Sequence, residues 1–134
     1  MLQKIVNYII KNPKQLFLID GFGAILSAFL LGIVLVHFEN CFGMPVKALY
    51  FLAILPCFFA IYDFICFFKA GENWQPYLRI IAFANLIYCV ISIGFVVNFY
   101  ELLTDLGKLY FLLELIIVLL LVLVELKTAT NADN

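Results

Sequence analysis

Four charged side chains stand inside long apolar runs of this sequence: Asp20, Asp63, Arg79 and Glu114. An ionisable group in hydrocarbon costs from about 3 to more than ten kcal/mol. Each one therefore implies a partner or a task, such as moving a proton, holding a cation or pairing with an opposite charge. Asp20, Asp63 and Arg79 each fall near the same end of their apolar run, and Asn85 lies deeper than Arg79 on the same stripe. Three faces bearing acid or base at similar depth predict one cluster of Asp20, Asp63, Arg79 and Asn85. Its chemistry would be a proton or cation relay, or a ligand site. The plainer reading is an ion pair that fixes helix register, with the charged tips reaching toward headgroups.

Glu114 is separate. It follows Lys108 by six residues, about 9 Å along a helix axis, which is deeper than a headgroup contact. His37, Asn98 and Tyr100 are its expected partners, and Tyr110 is a neighbour on its own helix. Its expected roles are proton exchange or a cross-helix hydrogen bond. Glu125 stands eleven residues further on, within about 20° of Glu114 around the helix.

Other chemistries lack their residues. There is no P-loop, no G-x-G-x-x-G and no H-E-x-x-H. His37, Glu39 and Cys41 are all possible ligands for a transition metal, but their alternate spacing fits no known metal pattern. The four cysteines contain no C-x-x-C pair. A single histidine excludes a bis-histidine haem within one chain, and it shares no depth with Ser27 or Ser92 that could build a catalytic triad. No catalytic residue, metal or cofactor is expected.

The elements that carry these residues are read from composition. Of 134 residues 66% are hydrophobic and 13% charged, and the mean hydropathy is +1.13. Soluble domains are about 45–50% apolar and 25% charged, so an ordinary soluble fold and a disordered chain are both excluded. A net charge of −1 gives no footprint for nucleic acid. A bilayer core needs about 20 apolar residues per helix. Four stretches satisfy this, at about 16–38, 46–68, 77–100 and 109–126. Continuous apolar runs, rather than alternation, argue against a β-barrel. Short connections predict helices that are antiparallel to their sequence neighbours.

On residues 1–12, Leu2, Ile5, Val6, Ile9 and Ile10 share a face opposite Lys4 and Lys11, and Pro13 ends the run. This predicts a short amphipathic helix on the membrane surface. Residues 128–134 form a polar tail. In the first span Asp20, Ala24, Ala28 and Gly32 recur every four residues, with Gly23 and Ser27 beside them. Small residues at this spacing let helices pack closely. Pro56 is the expected site of a kink, and the region facing it is the expected pocket.

The fold class expected is therefore an all-α membrane protein: one domain, an antiparallel four-helix transmembrane bundle with an N-terminal interfacial helix. Lys4, Lys11, Lys14, Lys69, Arg79 and Lys127 fall on one side and only Lys47 and Lys108 on the other. The positive-inside rule then places both termini in the cytoplasm, which in a bacterium means the inner membrane. Four helices leave little interior for a pore, so the expected partners beyond the lipid bilayer are copies of this chain or a larger membrane protein. The expected function is a non-enzymatic accessory or scaffold subunit. The alternative is a homo-oligomeric, proton-linked solute transporter or channel using Glu114 or the Asp20/Asp63/Arg79 cluster. A lipid- or quinone-binding enzyme has the least support.

Overall fold

The structure, a computed structural model, describes residues 4, 14–69, 71–72 and 74–131. Among these residues it is all helical. Helix α1 runs Gln15–His37 and contains a π-helical turn at Leu30–Val34. Helix α2 is a single turn, Glu39–Phe42. Helices α3, Val46–Lys69, and α4, Trp74–Asn98, follow. Helix α5 spans Asp105–Asn131. The expected surface helix over residues 1–12 falls, apart from Lys4, outside the described residues.

Helices α1, α3, α4 and α5 are each long and apolar enough to cross a membrane. Their exteriors are apolar as well: Phe22, Ile33, Phe58, Ile87, Val97 and Ile117 are all more than half exposed. Apolar surface on this scale is incompatible with water and fits the hydrocarbon of a bilayer. The molecule is thus compatible with an integral membrane protein.

Local chemistry sets the helix ends. The Glu39 carboxylate accepts the Val46 N–H at 3.0 Å and caps α3 from seven residues upstream. Gly43 ends α2 at φ +91°, a conformation that suits glycine. The Thr104 hydroxyl accepts the Gly107 N–H at 3.0 Å, a side-chain N-cap for α5. Pro76 falls in the first turn of α4, where its missing N–H is tolerated. Helix α5 continues five residues past Leu126, the end expected from hydropathy. Hydropathy misses this turn because its Thr128 and Ala129 are not strongly apolar, yet both are buried.

Packing pairs α1 with α3 and α4 with α5. At one end of the first pair Gly21 faces Asp63 and Phe64, and at the other Gly32 faces Ala53. Two apolar clusters close the interior. One gathers Leu16, Phe17, Cys66, Leu78, Ile81 and Ala129, here called the Ala129 end. The other includes Leu35, Met44, Leu49, Leu52, Leu103 and Phe111, the Met44 end. On each long helix the buried acids and amides lie between these clusters in chain order, with Glu114 a single turn past Phe111.

Candidate functional site

Each of the four long helices contributes a polar side chain to the zone between the two clusters. Asp20 comes from α1, Asp63 from α3, Asn85 from α4 and Glu125 from α5. They are 3%, 0%, 7% and 0% exposed. The Asn85 amide nitrogen donates to Asp20 Oδ1 at 2.7 Å and to Glu125 Oε1 at 3.3 Å. One amide thus bridges two carboxyl groups on different helices. Asp63 adjoins Asp20 and Glu125. Among the described residues neither Asp63 oxygen has a hydrogen-bond partner, and Asp20 Oδ2 and Glu125 Oε2 have none either. Buried polar atoms are paired in the great majority of cases. Carboxyl groups crowded together in one buried cluster, with four oxygens that no other donor reaches, therefore require protons shared among them.

A second polar set lies toward the Met44 end. Tyr88 Oη donates to Glu114 Oε1 at 2.5 Å, and Tyr110 Oη donates to Glu114 Oε2 at 2.6 Å. Glu114 is 8% exposed, so the two phenols supply donors that water cannot. Ser92, one turn beyond Tyr88 on α4, is fully buried and its hydroxyl has no partner among the described residues.

Between the two sets is a cavity of about 70 Å³. All four long helices line it, and its surface is almost wholly apolar although Asp20, Asn85 and Tyr88 border it. Gly23, Ala24 and Ser27 form its α1 wall, and Pro56 and Phe59 its α3 wall. The small α1 residues leave the space open where larger side chains would fill it. Pro56 also lacks the N–H that would have bonded the Leu52 carbonyl.

Several expected site residues are arranged otherwise. Asp20, Asp63 and Asn85 come together, but Arg79 is six residues before Asn85, about 9 Å nearer the Ala129 end, and its guanidinium donates to the Ala129 carbonyl at 3.4 Å. Of the small-residue row, Gly32 makes the close approach to α3. Ala28 is half-buried, and Gly23, Ala24 and Ser27 border the cavity. His37, Asn98 and Tyr100 are not the partners of Glu114. All three are exposed, and Asn98 ends its helix while Glu114 sits nine residues into α5. The His37 ring packs edge-on against Phe38. Glu39 is committed to its capping bond, and among the described residues no group of three possible ligands can hold a metal ion.

Sequence reasoning missed two members. Glu125 was visible on the Glu114 face, but its proximity to Asn85 depends on how α4 and α5 align. Tyr88 occupies the same stripe as Asn85 and Ser92 at three- and four-residue spacing, a signal masked by the abundance of aromatics. In comparisons with known proteins, the chain matches no family model, no curated protein and no solved structure.

Proposed function

We propose that this chain is an integral membrane protein that conducts protons through its interior. The observation that carries this reading is Asp63, fully buried with neither carboxyl oxygen hydrogen-bonded, beside Asp20 and Glu125. Three neighbouring negative charges in a medium of low dielectric repel strongly. The set therefore needs positive charge among its members, and protons shared between carboxyl groups are the smallest such charge. Intramembrane acids facing a bundle interior commonly serve proton pathways.

The rest of the reading concerns arrangement. The pairs Gly21–Asp63 and Gly32–Ala53, and likewise Asn85–Glu125 and Tyr88–Glu114, run in opposite chain directions, which supports a single-domain antiparallel bundle. Residues 1–12 add an amphipathic helix at the membrane surface. Six basic residues against two support cytoplasmic termini and, for a bacterial cell, the inner membrane. Self-association covers part of the lipid-facing exterior.

The test is a purified, vesicle-reconstituted protein with a pH-sensitive dye inside. Wild type should dissipate an imposed pH gradient faster than protein-free vesicles, and Asp63→Asn should slow it at least tenfold. Dissipation no faster than in protein-free vesicles would overturn the reading. A second reading, a non-enzymatic scaffold subunit, is favoured by Gly23, whose exposed position leaves room for another helix. Native mass spectrometry separates the two: a stoichiometric larger partner supports the scaffold, and a homo-oligomer alone supports conduction.

A further inference from the structure

The two ends of the bundle differ in charge. Among the described residues outside the buried acid set, the Ala129 end holds Lys14, Lys69, Arg79 and Lys127 against Glu72. The Met44 end holds Lys47 and Lys108 against Glu39, Glu101 and Asp105. At the Ala129 end α3 and α4 are the arms of a tight hairpin, which Lys69 closes on one side and Trp74 opens on the other. A groove of about 130 Å³ lies between them, lined by Ile65, Cys66, Lys69 and Tyr77. Its walls are mainly apolar, and Lys69 is the charged member. The Tyr62 hydroxyl donates to the Tyr77 carbonyl at 2.8 Å and ties the two walls together. Lys69 is exposed, and among the described residues no carboxylate pairs with it. The C-terminal end of α3 and the N-terminal end of α4 meet here, so their opposed dipoles largely offset each other and the ammonium sets the sign.

We propose that this groove binds one anionic phospholipid, with its phosphate on the Lys69 ammonium and the start of an acyl chain against Ile65, Cys66 and Tyr77. Three observations commit the site to this occupant. Ile65 is 53% and Tyr77 42% exposed, so the groove opens on the outer surface of a membrane-spanning hairpin and is filled from the bilayer. Charge then selects among lipids. An ammonium without an acid partner, at the basic end of the bundle, complements a headgroup of net negative charge, and basic pockets between spanning helices take anionic headgroups in this way. A zwitterionic headgroup brings its own cation to the phosphate and gains less. The order of groups along α3 also matches a lipid. Lys69 is the last residue of the helix and Ile65 and Cys66 lie about one turn deeper, which sets charge at headgroup level and apolar walls at chain level. Trp74 and Tyr77 open α4 at that headgroup level, where amphipathic rings concentrate. The groove is separate from the buried acids, and its failure would leave proton conduction standing.

The test is native mass spectrometry of the delipidated full chain in detergent, titrated with phosphatidylglycerol or with phosphatidylcholine. The first phosphatidylglycerol should bind at least fivefold more tightly than the first phosphatidylcholine. Lys69→Gln should remove that preference, whereas Lys69→Arg, which keeps the charge, should retain it. Lys127 is an exposed basic residue of the same end that does not line the groove, and Lys127→Gln should keep at least half of the preference. Glycerol phosphate, a headgroup without chains, should not compete at equal concentration. Thermal melts in detergent verify that each variant is folded. No preference in wild type overturns the site. An equal loss in Lys69→Gln and Lys127→Gln overturns it too, because the basic end would then attract anionic lipid only through its overall charge. Competition by glycerol phosphate at equal concentration overturns the lipid as occupant.

Discussion

At the scale of single residues, Asn85 is the side chain on which most depends. Its one amide group serves Asp20 and Glu125 at once, while four other carboxyl oxygens nearby have no donor. Asn85→Leu removes that donor and leaves two more acceptors orphaned in a buried pocket. An unsatisfied buried polar group costs about 1–3 kcal/mol. Asn85→Leu should therefore lower the unfolding free energy in detergent by about that amount or more, and Asn85→Gln should recover part of it. Stability unchanged in Asn85→Leu would mean that the two carboxyl groups find other partners. The sequence made much of this cluster legible, since Asp20, Asp63 and Asn85 lie on stripes of small residues at similar depth. It could not rank Arg79 against Glu125 as the remaining member. That choice depends on the rotation and axial offset of α4 and α5, and no spacing within one helix encodes either. Tyr88 as a partner of Glu114 was hidden for the same reason, since depth along α4 had to be matched to depth along α5, whereas Tyr110, one turn before Glu114 on α5, was legible.

At the scale of elements, the four long helices were evident from hydropathy, because about 20 apolar residues in sequence have few alternatives to a spanning helix. The π-helical turn at Leu30–Val34 was not evident. It is a small adjustment around Gly32, where α1 approaches Ala53. The clasp between the two helix pairs at the Met44 end was equally hidden, because it is built largely from backbone. The Thr104 N–H donates to the Phe42 carbonyl at 3.1 Å, and the Thr104 hydroxyl donates to the Cys41 carbonyl. Gly107 sits so close to this contact that an added Cβ would lie 2.0 Å from the Phe42 oxygen. Gly107→Ala must push the α2 turn away, and forced overpacking costs about 1–3 kcal/mol. Its unfolding midpoint in detergent should fall accordingly. Gly94→Ala, at a position with open space around it, should leave the midpoint nearly unchanged. Equal midpoints for the two variants would mean that the clasp contributes nothing.

At the scale of the whole molecule, an apolar exterior surrounds an interior in which a few polar side chains are gathered between two apolar clusters, an arrangement that suits a chain dissolved in lipid. The proposed orientation places the α2 turn outside the cell. Cys41 in that turn is exposed, whereas Cys66 and Cys89 are buried. A membrane-impermeant thiol reagent should thus label Cys41 in intact cells, and labelling confined to inverted vesicles would reverse the orientation. The central claim is that the buried acids form a path for protons. Its most direct measurement is the reversal potential of the purified protein in a planar bilayer, with a proton gradient imposed and potassium and chloride held equal. The account predicts a reversal potential that shifts toward the proton equilibrium value and a current lost in Asp63→Asn. A current that ignores the proton gradient, or persists unchanged without the Asp63 carboxyl, would contradict it.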